Sequence, residues 1–171
     1  MSAARTLTIL IAAAMGAASC RRNAQPAADV GADTSLVVAL ERGACRGNCP
    51  EYRVELFESG RVLFTGAKNV AVTGAVTGTV RDGDLRAIKS LLSESGFASL
   101  DTAYVYGSTT CGQYYTDLPM VVLWAKVGTI VRKVQYDPGC QGAPAILKTL
   151  PARIDSVAGT STWIEGKEKE Q

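Results

Sequence analysis

The chain is expected to fold as an α+β domain: a mostly antiparallel sheet of about six strands, two helices packed on it, and disulfide cross-links. Three observations predict this. Short runs of apolar residues alternate with period two between Gly, Asn and Pro punctuation. Two longer runs repeat apolar residues at three- and four-residue steps, the period of a helix face. Four cysteines, Cys45, Cys49, Cys111 and Cys140, remain once a fifth near the N-terminus is assigned elsewhere, and an even number suits disulfides.

The first segment, Met1 to Ser19, has one positive charge at Arg5 and then a mostly apolar run from Leu7 to Ala18. It is expected to be a secretory signal peptide. A membrane-spanning helix needs ~20 predominantly apolar residues, and this run is shorter and ends in small residues. Ala17-Ala18-Ser19-Cys20 resembles the lipobox of bacterial lipoproteins, in which the cysteine is acylated and becomes the mature N-terminus. Ala17 stands where such boxes usually carry Leu, and the alternative is an ordinary signal peptidase cutting beside an A-x-A-like site. With lipidation at Cys20, Arg21 to Ser35 becomes a flexible tether, poor in the apolar residues that offset the entropy of ordering. The expected address is the cell envelope, lipid-anchored and facing the periplasm or exterior. In a Gram-negative cell, Arg21 in place of an Asp after the lipidated cysteine points to the outer membrane.

One globular domain is expected from Leu36 to Ile164, followed by a charged tail over Glu165 to Gln171. Leu36 to Glu41 is β-branched and apolar enough for a buried strand. Tyr52, Val54 and Leu56 alternate with Arg53, Glu55 and Phe57. Ser59-Gly60 marks a tight hairpin turn into Val62-Leu63-Phe64, with Gly supplying the positive φ. Val70 to Val80, punctuated by Gly74 and Gly78, reads as one bent strand or two short ones. Leu85, Ile88, Leu91 and Leu92 define a helix with Asp82 or Asp84 as N-cap, closed by Gly96 as a left-handed C-terminal cap and Phe97 behind it. Ala98 to Leu118 reads as a long irregular loop, of the kind that is often functional or pinned by a cross-link. Met120 to Trp124 and Thr129 to Tyr136 form a second hairpin around Gly128. Ile146, Leu147, Leu150, Ile154 and Val157 make a second helix face, with Pro144 in the first turn and Gly159 as cap. Pro151 in its middle predicts a kink or two abutting short helices.

Composition narrows the chemistry. There are 18 basic and 16 acidic residues, and the loss of Arg5 with the leader leaves a net charge near +1, so no electrostatic case for nucleic acid exists. The absence of histidine from the sequence excludes Ser-His-Asp and Cys-His machinery and removes the commonest metal ligand. No glycine-rich phosphate loop is present, and neither a cofactor nor a metal is expected.

Two constellations remain. Cys45-Arg46-Gly47-Asn48-Cys49-Pro50 is a C-x3-C in a turn-forming context. A structural disulfide is the preferred reading, with Cys111–Cys140 as the second bridge. The alternatives are a redox dithiol, whose usual C-x-x-C spacing at a helix start is missed here; a four-cysteine zinc site, disfavoured outside the cytosol; and an anion-binding nest with Arg42 and Arg46. The second constellation is the tyrosine-rich loop. Tyr104, Tyr106, Tyr114, Tyr115 and Asp117, with Arg46, form a candidate binding surface, because aromatic rings offer contact area at low entropic cost. The plainer reading is that these rings pack over the sheet, and that Asp117 is a turn former.

The run from Leu40 to Tyr52, with Cys45-Arg46-Gly47-Asn48-Cys49-Pro50 at its centre, resembles the opening signature of bacterial domain-of-unknown-function family 6438. Thr116-Asp117-Leu118-Pro119, Gly139-Cys140 and Ala158-Gly159-Thr160 with Trp163 follow in the order of that family's pattern, covering about Leu36 to Ile164. The resemblance implies export, often with a lipid anchor, and brings no reaction with it. The leading expectation is a non-catalytic envelope module that meets the membrane through its lipid and binds an envelope protein or cell-wall component. An inhibitor of a secreted hydrolase is one form of it. The alternative is an enzyme: a redox protein at Cys45 and Cys49, or a hydrolase using Asp117.

Overall fold

The strand Leu36–Arg42 (β1) has four consecutive buried residues, Val37 to Leu40, because neighbours cover it on both faces. A strand buried on both sides reads as a continuous apolar run, and β1 lies at the centre of the sheet. The computed structural model describes residues 35–115 and 118–166. The expected signal peptide, the expected lipidation site Cys20 and all but the last residue of the expected tether therefore lie outside the described residues. So do Asp117 and the tail from 167 onward.

Six further strands follow: Glu51–Phe57 (β2), Arg61–Lys68 (β3), Gly74–Thr79 (β4), Ala103–Tyr104 (β5), Val121–Val127 (β6) and Ile130–Tyr136 (β7). They form one seven-stranded sheet in the order β4-β3-β2-β1-β6-β7-β5. Every pairing is antiparallel except β5 with β7, so the sheet is mixed and has seven strands where about six antiparallel ones were expected. The extra strand is β5, two residues inside the stretch expected to be irregular, too short to show any period. The first hairpin closes over Glu58-Ser59-Gly60. Gly60, at φ 81°, donates its N–H to the Phe57 carbonyl at 2.9 Å, which makes it a three-residue loop ending in a left-handed glycine.

The register places Val76, Phe64, Val54, Leu40, Leu123 and Val134 in one row across six strands. Two helices cover this face: Asp82–Glu94 (α1), through Leu85, Ile88 and Leu92, and Ala145–Ala158 (α2), through Leu147, Leu150 and Ile154. The cap of α1 is Arg81, not Asp82 or Asp84. Both aspartates sit in the first turn, where their charge opposes the positive end of the helix dipole, and Asp84 accepts the Arg81 Nε–H at 2.7 Å. Gly96, at φ 69°, ends the helix as expected, with Phe97 buried behind it. Of the two alternatives expected at Pro151, a kink or two abutting short helices, the second does not occur: α2 is a single helix through Pro151. The missing N–H removes one bond of the helical ladder, while buried residues on both sides of it, Leu147, Leu150 and Ile154, hold the two turns to the same core.

A short helix, Ser161–Ile164 (α3), follows. Its Ile164 and Trp163 carbonyls accept the N–H groups of Ala71 and Val72 at 2.9 Å each. Trp163 lies over Gly78 of β4, where a Cβ would come within 2.9 Å of the ring. The opposite face of the sheet carries a ladder of long polar side chains. Arg53 stacks over Trp124 at 4.2 Å from its centroid and Arg61 over Phe57 at 3.8 Å.

Candidate functional site

Antiparallel order sends the chain out of the sheet at alternating ends. β1, β3, β5 and β7 finish at the same end, and the segments 43–50, 69–73, 105–115, 118–120 and 137–144 gather there. Both disulfides and the exposed tyrosines belong to this end. The Gly43 N–H donates to the Met120 carbonyl at 2.9 Å, tying the start of the first loop to the end of the third.

Four cysteines make two disulfides, Cys45–Cys49 with Cα atoms 5.8 Å apart and Cys111–Cys140 at 4.6 Å, both within the range that bridges span. The pairing leaves no set of four thiolates for zinc. The second bridge is sealed, with Cys111 2% and Cys140 0% exposed. Around it, Tyr115 donates its N–H to Gly139, Gln141 to Gln113 and Gly142 to Cys111, at 2.8–3.0 Å, so that 111–115 lies beside 139–142.

Asp137, absent from the candidate residues read in the sequence, is the knot of this region. It is buried, and its Oδ1 accepts the Gly139 N–H at 2.9 Å while Oδ2 accepts the Tyr114 hydroxyl at 2.9 Å. Its own N–H goes to the Tyr104 carbonyl at 2.9 Å. A buried carboxylate needs its lone pairs satisfied, and here the groups that satisfy it belong to the loop it fastens. Its charge also acts on a neighbour: burial first, then Asp137, pushes the Tyr136 pKa above its ordinary value.

The tyrosines of the candidate surface divide. Contrary to its expected place on a binding surface, Tyr104 is 5% exposed and belongs to the core, its hydroxyl accepting the Asp101 N–H at 3.3 Å. Tyr114 is half-buried against Asp137 and meets Tyr106 ring to ring at 4.9 Å between centroids. Tyr106 is 75% and Tyr115 54% exposed, and Leu118 is half exposed. Arg46 is exposed at the tip of the loop 43–50.

The expected nest of Arg42 and Arg46 is not formed by Arg42, which turns inward. Arg42 and Tyr52 are cross-strand partners on the helix-covered face, and Asp155 reaches them from α2. Arg42 Nη2 donates to Asp155 Oδ2 at 2.7 Å, and Tyr52 Oη donates to Oδ1 at 2.7 Å. Arg42 Nε donates to Tyr52 Oη at 2.9 Å, and buried Thr160 donates to Asp155 Oδ1 at 3.0 Å. Burial, then the charge of Asp155, drives the Tyr52 pKa well above its ordinary value. Burial opposes the Arg42 charge, but Asp155 and Tyr52 outweigh it and its pKa is raised. A neutral phenol and a paired guanidinium hold helix to sheet; neither is a free acid or base. Beside them lies a cleft of about 240 Å³ lined by Glu41, Arg42, Glu51, Tyr52 and Arg53 among others, smaller than the ~300–1,000 Å³ of ordinary ligand pockets.

No curated protein matches the chain. Residues 36–158 match the family Domain of unknown function (DUF6438), a span that begins with β1 and ends with α2, leaving α3 and Trp163 beyond it. Both disulfides, the Asp137 knot and the Arg42–Tyr52–Asp155 cluster fall inside that span, and the chain belongs to the family Domain of unknown function (DUF6438).

Proposed function

We propose that the protein is a binding module of the cell envelope, held to the membrane by a lipid on Cys20, that grips an envelope protein through the tyrosine-bearing loop after β5, a surface that does no chemistry of its own. The observation that carries this reading is the pair of rings Tyr106 and Tyr115, 75% and 54% exposed, on a loop fastened by a buried disulfide and a buried carboxylate. Binding costs entropy when a loop must be ordered, and a loop already fixed avoids most of that cost. The composition fits as well. From Thr102 to Thr116 there is no charged residue, and Tyr, Ser, Thr, Gly and Gln predominate; a similar mixture serves antibody loops, with Tyr as rigid contact area and small polar residues as adaptable hydrogen-bonding groups. Export is supported by the apolar run ending at Cys20 and by the pairing of the other four cysteines, which suits an oxidising compartment.

The test is site-specific photo-cross-linking in membranes of the native cells, with a photoreactive phenylalanine at position 106 or 115 and at the exposed control Thr77 on β4. Capture of one envelope protein from 106 and 115 and not from 77 is the expected result. Adducts that are absent, or the same from all three positions, would end this reading.

A further inference from the structure

We propose that the Cys45–Cys49 disulfide is a thiol–disulfide exchange site, opened by a thiolate that attacks Cys49 and expels Cys45 as the stabilised thiolate. The two bridges of this protein differ in reach. Exchange requires a thiolate to approach a disulfide sulfur. Cys111 and Cys140, 2% and 0% exposed, do not allow that approach. Cys45 and Cys49 are half-buried, and the residues between them, Arg46, Gly47 and Asn48, are all exposed.

The sulfurs of the reachable bridge are also unlike each other. The Gly47 N–H donates to Cys45 Sγ at 3.3 Å. A donor aimed at sulfur favours its charged form, and the thiol of lower pKa is the faster leaving group. Cys49 is the sulfur that remains in place. Its carbonyl accepts the Asn69 Nδ2–H at 3.0 Å, and Pro50 follows it with a restricted φ. The start of the loop is held separately through Gly43 and Met120. Neither anchor uses sulfur, so the loop ends stay together when the bridge opens, and the two thiols remain close enough to close again.

The exchange balances as follows. A thiolate of a dithiol-bearing substrate forms a bond to Cys49 Sγ, the Cys45–Cys49 bond breaks, and its electron pair leaves on Cys45 Sγ. The second thiolate of the substrate then attacks its own sulfur in the mixed disulfide, and Cys49 leaves as a thiolate and takes a proton. The substrate dithiol is oxidised by two electrons and the Cys45–Cys49 pair is reduced; a disulfide-bearing protein or small molecule restores it by the reverse steps.

The full-length protein is to be equilibrated in glutathione buffers of graded ratio, with the four cysteines read by differential alkylation and mass spectrometry. Cys45 and Cys49 are expected to open over a range in which Cys111 and Cys140 stay oxidised. In a Cys49→Ser variant, the Cys45 thiol is expected to titrate below the ordinary value of about 8.5, read from the pH dependence of iodoacetamide alkylation. Opening of both bridges together, or a Cys45 thiol titrating at or above that value, overturns the proposal and leaves Cys45–Cys49 a structural staple. If the variant does not fold, the order of opening in the wild type decides alone.

Discussion

Tyr52 is the residue on which β1, β2 and α2 meet. Its hydroxyl donates to Asp155 and accepts from Arg42, so Tyr52→Phe removes two bonds while Asp155 keeps Arg42 and Thr160. The expected loss is about 1–3 kcal/mol at neutral pH. A pH signature accompanies it. The folded pKa of Tyr52 is raised, by burial first and by Asp155 second. Its contribution is therefore complete below the unfolded tyrosine value of about 10 and is lost as pH rises from there toward the folded pKa. Urea unfolding between neutral pH and pH 11 should show the wild type weakening above pH ~10 and Tyr52→Phe weakening less steeply, with Tyr136 supplying a residual slope of the same sign. An unchanged alkaline limb in the variant would refute the assignment. At this scale the sequence was only partly legible. Arg42 and Tyr52 stand out locally, but their partner Asp155 is more than a hundred residues away on a helix read by its apolar face. Tyr104 and Tyr106 are two apart in a segment without period, and nothing local tells that one is core and the other exposed. Asp137 had a single signal, the turn-forming Asp137-Pro138-Gly139, and no indication of what it would hold.

Elements were legible where period and punctuation agreed. The hairpin of β2 and β3, helix α1 with its Gly96 stop, and the hairpin of β6 and β7 all follow from patterns within a dozen residues. β5 and the continuity of α2 through Pro151 did not, because each is set by tertiary packing: β5 by pairing with β7, α2 by the core beneath it. Gly66 is a further case, since nothing in its flanks marks it as essential. It sits in β3 opposite Tyr52 and Gly74, and the chain that turns back into β4 passes directly over it. A Cβ at Gly66 would collide with the Val72 carbonyl and lie 2.8 Å from Val70 Cγ2 and 3.0 Å from Phe64. Val72 is itself tied to Trp163 in α3, so the obstructing carbonyl is backbone that cannot swing aside alone. Gly66→Ala is therefore expected to destabilise the protein by roughly 1–3 kcal/mol, the usual cost of overpacking, and to change Trp163 fluorescence. A variant with wild-type melting temperature would show that the β3–β4 return is looser than this packing implies.

Across the whole molecule, four of the six strand pairings join strands consecutive in the chain and two, β1 with β6 and β5 with β7, join strands that are not, and the disulfides reinforce that arrangement unequally. Cys45–Cys49 spans a separation of 4 residues and Cys111–Cys140 one of 29. On the loop-entropy model these closures contribute about 2 and 3.5 kcal/mol respectively. The long bridge also fastens the tyrosine loop to the segment between β7 and α2, so its loss frees structure that the short one does not touch. Replacing Cys111 and Cys140 together by Ala, which avoids burying new polar groups, is expected to lower the melting temperature by roughly 10–15 °C, while the Cys45→Ala/Cys49→Ala protein falls by about half as much. Calorimetry under non-reducing conditions measures both. The Cys111→Ala/Cys140→Ala protein should in addition lose the protection of backbone amides at Gly142 and Tyr115, which donate to Cys111 and Gly139 in the wild type, as read by hydrogen exchange. Equal melting temperatures for the two double variants, or a larger fall for the short bridge, would mean that the tyrosine loop is held by Asp137 and its hydrogen bonds and that the buried disulfide adds little to them.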